Sequence, residues 1–251
     1  MILRKELSTY INQLLEIGRF QDYCPNGLQV EGRNEIQKIV TGVTASQALL
    51  DKAVELKADA VLVHHGYFWK NEAPQVIGIK HKRLKTLLHH DINLLAYHLP
   101  LDAHPEFGNN VQLAKVLELE IKAPFSETDQ ARGLYGALKH PMSVEELSHY
   151  LETKLGRKPL IISSAKAKIS SIAWCTGGAQ SLIEQANVKG VDAYLSGEIS
   201  ESTYHYAKEM NMTYISAGHH ATERYGIKAL GEHLAQKFGL DCQFVDIDNP
   251  V

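Results

Sequence analysis

The sequence predicts an α/β protein built from two related αβα domains, consecutive or intertwined, with mixed sheets. Two observations predict it. Short β-rich apolar runs alternate with stretches of helical periodicity, the signature of strands packed between helices. The first half of the chain also resembles the second, as expected of an internal duplication.

The elements follow in chain order. Apolar β-rich runs place strands at residues 38–43, 60–63, 93–97, 135–138, 169–175, 193–195, 213–216 and 243–246. Between the first two, residues 46–56 carry Leu49, Ala53 and Leu56 at helical spacing. Ser143-Val-Glu-Glu146 reads as a capping box, followed by Leu147, Leu151 and Leu155 on one face and a stop at Gly156. A final helix is expected over residues 223–238, with Ile227, Leu230 and Leu234 on one face and Thr222 as its cap.

The repeat is ungapped over residues 39–62 and 172–195, at a constant offset of 172 − 39 = 133. Ile39, Gln47, Leu49, Ala53, Asp59, Ala60 and Leu62 meet identical residues at Ile172, Gln180, Leu182, Ala186, Asp192, Ala193 and Leu195. Any two strand–helix–strand units share an apolar pattern, but matched Gln and Asp go beyond that. At the third strand, Ala96, His98 and Asp102 align with Ala217, His219 and Glu223 at an offset of 217 − 96 = 121. The domain boundary is placed near 123–133, where APFSETDQARG reads as a linker. The first repeat is then 1–125, carrying His64, His65 and Asp102. The second is 126–251, carrying His219 and Glu223.

Composition removes several function classes. A chain of 251 residues with 44% apolar and 22% charged residues has the profile of a globular protein. The net charge of −3 supplies no electrostatic reason for non-specific binding to DNA or membranes. No apolar run reaches the length of a membrane span, and the N-terminus lacks the core of a secretion signal. Cys24, Cys175 and Cys242 are far apart and odd in number, which fits a reducing, cytoplasmic compartment rather than a disulfide framework. There is no GxxxxGK[ST] loop, no GxGxxG fingerprint and no GxSxG elbow.

Histidine is the unusual component, at 13 residues. His64 and His65 end an apolar strand before Gly66, and once the backbone leaves the strand each can reach a different ion. Asp102 follows the third strand in HLPLDAHP, and GHHATE adds His219 and Glu223. Imidazole nitrogens with carboxylate oxygens suit zinc, iron, manganese, nickel or cobalt. A lone buried histidine is more often a core residue than a ligand, and His81, His89, His90, His140, His149, His205 and His233 are read so. Three histidine–carboxylate clusters, each after an apolar strand, point instead to two neighbouring divalent metal ions. His98 has either a proton-transfer or a structural role, and Glu198, at the repeat position of His65, either lines the same cavity or caps a helix. CTGGAQS precedes a helix and admits an unspecific anion site, and Cys175 is read as a core residue.

At these residues the sequence resembles the NIF-three-like family, whose bacterial members are homologues of a type 2 GTP cyclohydrolase I. The resemblance rests on PNGLQVEG (25–32), VTGVTAS (40–46), VHHGYFWK (63–70), HLPLDAHPEFGNN (98–110), WCTGGAQS (174–181), SGEISE (196–201) and AGHHATERYG (217–226). It runs nearly end to end and is weakest around 112–170. It implies a toroidal homohexamer of duplicated α/β subunits with two metal ions per subunit. His64 and Asp102 would bind one ion, His65 and His219 the other, and Glu223 would bridge both. The implied activity is metal-dependent hydrolysis of a nucleotide such as GTP, opened at its imidazole ring, with a link to the handling of damaged nucleotides. Glu223 and His98 are its catalytic candidates. The alternative is a non-catalytic, metal-stabilised hexameric regulatory or scaffold protein. In a ring, copies of KHKRLK (80–85) would form a basic surface open to nucleotides or nucleic acid.

Overall fold

The computed structural model describes residues 1–125 and 133–251. The chain divides into two compact units, Met1–Phe107 with Gly226–Asp248 and Gly108–Tyr225 with Asn249–Val251. These spans differ from the expected division after residue 125. The stretch 126–132, where the sequence places that division, lies outside the described residues. Packing explains the difference. Helix Asn109–Val116 buries Leu113 and Ala114 in the core of the second unit, and strand Asp241–Phe244 pairs with Lys38–Thr44 in the first.

The first unit holds a five-stranded mixed sheet. Its order is Asp241–Phe244, Lys38–Thr44, Ala60–His65, Asn93–Ala96 and Gly27–Val30. The first four run parallel and the last is antiparallel. Side chains alternate across it as a strand requires. Ile39, Leu62 and Leu95 face a core shared with helix Arg4–Leu14 and with Ile227, Leu230 and Leu234. Val40, Val61, Val63 and Leu94 face the other, shared with helices Gln47–Glu55 and Gly78–His89. The helix expected over 46–56 begins as Ser46 accepts the Leu49 N–H.

The second unit holds a six-stranded mixed sheet. Its order is Glu120–Pro124, Leu134–Met142, Ile169–Trp174, Ala193–Ser196, Thr213–Ser216 and Leu160–Ile162. The three strands from Ile169–Trp174 to Thr213–Ser216 are parallel to one another, and the outer ones antiparallel. Ile172, Trp174 and Leu195 face helices Asn109–Val116 and Val144–Leu155. Ala173, Tyr194 and Tyr214 face helices Ile183–Val188 and Glu201–Glu209. The capping box at Ser143–Glu146 is present, and Gly156 ends that helix at φ 69°.

The units share a register. Ile39 pairs with Ala60 in one and Ile172 with Ala193 in the other, both at the offset of 133. Asp59 accepts the Gln37 and Lys38 N–H groups and an Arg33 ion pair. Asp192 accepts the Ser170 and Ser171 N–H groups and a Lys166 ion pair. Each of these positions differs by 133.

The third strands correct the expected alignment by one residue. Ala60 pairs with Asn93 and Ala193 with Thr213, so the offset there is 213 − 93 = 120, not 121. Tyr97 N–H donates to Val63 O, and Ala217 N–H to Ser196 O, in the same frame. Asp102 therefore corresponds to Thr222 rather than to Glu223. The similar spacing of His98-x-x-x-Asp102 and His219-x-x-x-Glu223 favours a one-residue slip that the hydrogen-bond ladder does not make.

The last helix also departs from expectation, spanning His219–Phe238 rather than beginning at residue 223. Thr222 lies inside it and is not its cap. Its hydroxyl donates to the Gly218 carbonyl at 2.9 Å and accepts the Gly177 N–H at 3.0 Å. Among the described residues no helix is long and apolar enough to cross a membrane. Cys24 and Cys175 are buried, and Cys242 is partly buried.

Candidate metal centre

Parallel strands deliver their carboxyl ends to one edge of a sheet, where ligands commonly bind. In the first unit strand Ala60–His65 delivers His64 and His65 there. His64 is fully buried. Its Nδ1 donates to the Tyr97 carbonyl at 2.9 Å, and its Nε2 lies 3.5 Å from Asp102 Oδ1. The His65 Nδ1 is 3.1 Å from Thr44 Oγ1, and the two imidazole centroids are 4.5 Å apart. Asp102 is buried in the short helix Leu99–Ala103, whose second residue is Pro100.

His98 completes this group. One ligand atom each from His64, His65 and His98 lies within 4.8 Å of the others. His98 Nδ1 donates to Asp22 Oδ1 at 2.9 Å. Asp22 also accepts from Asn26 Nδ2 and the Leu99 N–H, while Asn26 Oδ1 accepts the His98 N–H. Burial alone would raise the Asp22 pKa, but the His98 ring, Asn26 and the Leu99 amide outweigh it and hold the carboxyl down at about 2. Cys24 lies close enough to Asp22 and His98 to form a donor set with them. Burial first, and the Asp22 charge second, push its thiol up to about 12, which leaves it a poor ligand.

The second unit presents His219 and Glu223 from one turn of helix. His219 Nε2 is 3.1 Å from Glu223 Oε2, and its Nδ1 is 2.7 Å from Glu198 Oε1. Burial lowers the His219 pKa, yet the two carboxylates more than reverse this and raise it to about 9. Glu223 is buried. Because Gly177 at φ 67° lacks a side chain, Glu223 has room: a Cβ there would lie 2.0 Å from Glu223 Oε1 and 3.1 Å from His219 Nε2. Glu223 occupies the second turn of its helix, beyond the first turn in which the helix dipole favours a carboxylate.

These donors fit divalent ions. An imidazole binds a metal through one nitrogen when the other is held by an acceptor. His64 is held by a carbonyl, His65 faces a hydroxyl, and His219 and His98 are held by carboxylates. In each, Nε2 is the atom offered. The buried His, Asp and Glu groups can thus hold metal ions. Of the expected residues, the first unit brings His64, His65 and Asp102 together with His98, and the second brings His219 and Glu223 together with Glu198.

Asp22 and Thr44 were not legible as site residues, because their partners lie 76 and 21 residues away. Glu198 was legible only through the repeat, and its observed role is to hold His219. Residues 2–250 match the model of the family Duf34/NIF3 (NGG1p interacting factor 3). The chain is 58% identical over 246 residues to a GTP cyclohydrolase 1 type 2 homolog of Yersinia pestis, covering 98% of each. A homolog of the same name from Pseudomonas aeruginosa is 56% identical, over 97% of this chain and 98% of that one. Among solved structures, protein ybgI, described as of unknown function, is 52% identical with a TM-score of 0.96 over 100% of both chains. A protein from Thermus thermophilus is 34% identical with a TM-score of 0.90 over 100% of both. By sequence along nearly its whole length and by fold, the chain belongs to the DUF34/NIF3 family.

Proposed function

We propose that the chain holds two divalent metal ions and hydrolyses a nucleotide or a related small molecule. In this reading His64 and Asp102 would hold one ion, His65 and His219 the other, and Glu223 would serve both. One observation carries it: the Nδ1 atoms of His64, His65 and His219 each have a partner, so each ring offers Nε2. The equal registers of the two units support their origin in one duplicated unit, each copy now contributing part of the ligand set. When bound, the ions would activate water and clamp negative charge developing on the substrate. The chain's own residues keep the ligands in place. The Tyr97 carbonyl and Thr44 hydroxyl fix the two strand-end rings, Glu198 fixes His219, and Asp22 fixes His98 for proton transfer at Nε2. The ions are zinc, iron, manganese or nickel, as availability decides. The names of the relatives make GTP the first substrate to test. Protein reconstituted with each metal is assayed against a nucleotide panel. Turnover that His65→Ala and Glu223→Ala abolish supports the reading, and equal rates in all three proteins refute it.

A second reading is a non-catalytic, metal-stabilised homohexamer. Val76, Ile77 and Ile79, exposed by 50%, 72% and 69% at the start of helix Gly78–His89, favour an assembly surface. Size measurement with and without chelator tests it, since only this reading requires the assembly to dissociate without metal while every substrate fails.

A further inference from the structure

Two aromatic rings stand beside the histidine group of the first unit and have no part in its core. Tyr23 is 47% exposed and Trp69 half-buried. Their ring centroids lie 6.2 Å apart, inclined at 32°. Both also border His98: Tyr23 at 5.2 Å and Trp69 at 5.1 Å, each edge to face, and Trp69 is 6.0 Å from the His65 ring. The two loops that carry them are joined by a hydrogen bond from the Lys70 N–H to the Tyr23 carbonyl. Trp69 follows Phe68 at φ 65°, a left-handed conformation that bulky L-residues seldom adopt.

The spacing decides what these rings can do. A flat ligand clamped between two rings needs about 7–8 Å, twice a contact distance of 3.5–4.0 Å. At 6.2 Å and an inclination of 32°, Tyr23 and Trp69 leave no such slot, so a flat ring would lie against them rather than between them. A planar ring lying against Tyr23 and Trp69 would also lie beside the imidazole of His98, which both rings border. Asp22 holds that imidazole by Nδ1 and thereby fixes its plane. Two aromatic rings with a carboxylate-held imidazole beside them match a flat ring that carries polar atoms at its rim. An aliphatic or purely anionic group would gain little from them.

We propose that Tyr23 and Trp69 form a stacking subsite for a nucleobase-type heteroaromatic ring, with His98 beside it. The proposal rests on the nucleotide reading above and names the part of the ligand that the first unit holds. Trp69 gives a direct signal, because the only other tryptophan, Trp174, is fully buried with its Nε1–H on the Asn110 carbonyl. The full-length protein is titrated with guanosine and, separately, with ribose 5-phosphate, following tryptophan emission. Trp69→Phe supplies the Trp174 baseline. The expected result is saturable quenching by guanosine, none by ribose 5-phosphate, and affinity about 5- to 100-fold weaker in Tyr23→Ala. Equilibrium dialysis of labelled guanosine should show binding retained in Trp69→Phe, where a ring remains, and lost in Trp69→Leu. Circular dichroism of each variant checks folding. Absence of saturable quenching by guanosine, adenosine and cytidine overturns the subsite, as does equal binding of ribose 5-phosphate. Metal content is measured on the same samples. Retained metal without quenching sinks the stacking subsite alone, and quenching without any bound metal sinks the dinuclear reading alone.

Discussion

The two units carry one backbone frame to two different chemical ends. Strand Ala60–His65 finishes on two imidazoles, while the equivalent positions beyond Ala193–Ser196 are Gly197 and Glu198, at 64 + 133 and 65 + 133. The preceding strands differ in the same way. Thr44 places its hydroxyl against His65, and at 44 + 133 stands Gly177, whose missing side chain makes room for Glu223. The first unit therefore presents its candidate ligands from a strand end, and the second from the start of a helix, braced by Glu198. The shared Asp59 and Asp192 maintain the frame. What the two units share is scaffold, and where they differ is chemistry.

Putting a side chain into the second unit at Gly177 breaks this contrast most severely. Gly177→Ala adds a Cβ 2.0 Å from Glu223 Oε1 at a left-handed φ of 67°. It is expected to cost roughly 2–5 kcal/mol in urea unfolding and to displace Glu223, lowering metal content. Gly178→Ala, whose nearest neighbour is 3.6 Å away, should change stability by less than about 0.5 kcal/mol.

The shared scaffold predicts matched losses. Asp59→Asn and Asp192→Asn each weaken charge-assisted bonds from two backbone N–H groups and a cation. Each should cost about 1.5–3 kcal/mol, with Asp192 the larger because the Ser170 and Ser171 hydroxyls also donate to it, and a reversed order would separate the two frames.

Asp22 belongs to the first unit alone and gives it an acid dependence. Its folded pKa, about 2, lies below the ordinary 3.8. The corresponding stability is present above pH 4 and is lost as pH falls through about 2. Over that window the chelated protein should lose about 2 kcal/mol from this group, and Asp22→Asn should flatten the slope of unfolding free energy against pH. An unchanged slope would remove Asp22 from the account.

The smallest expected effect compares helix caps. Ser46→Ala and Ser143→Ala each remove a side-chain acceptor from a helix start. Each should cost about 1 kcal/mol by thermal unfolding, with Ser143 the larger because its capping box also involves Glu146.

The central strands and their helices were legible because their apolar runs are buried on both faces, as in Val40, Val61, Leu94 and Tyr194. Of the four outer strands of the two large sheets, Asp241–Phe244 was expected two residues late, at 243–246, and the other three were not expected. Gly27–Val30 opens on glycine, Glu120–Pro124 alternates charge and ends on proline, and Leu160–Ile162 is short. Such edges are formed by a neighbour's hydrogen bonds rather than by their own pattern. Among site residues, histidines after apolar strands announced themselves. Asp22 and Thr44 did not, because an acceptor for a ring Nδ1 has no local signature, and Glu198 showed only through its repeat position. The one-residue slip at the third strand has the same cause: residue identity suggested an equivalence that only backbone pairing could deny.

Metal stoichiometry tests the dinuclear centre most directly. Elemental analysis of the protein after reconstitution and removal of free ions should find two divalent ions per chain. His64→Ala and His65→Ala should each lose one, and Glu223→Ala should weaken both. A wild-type chain holding one ion or none, or variants indistinguishable from it, would contradict the account.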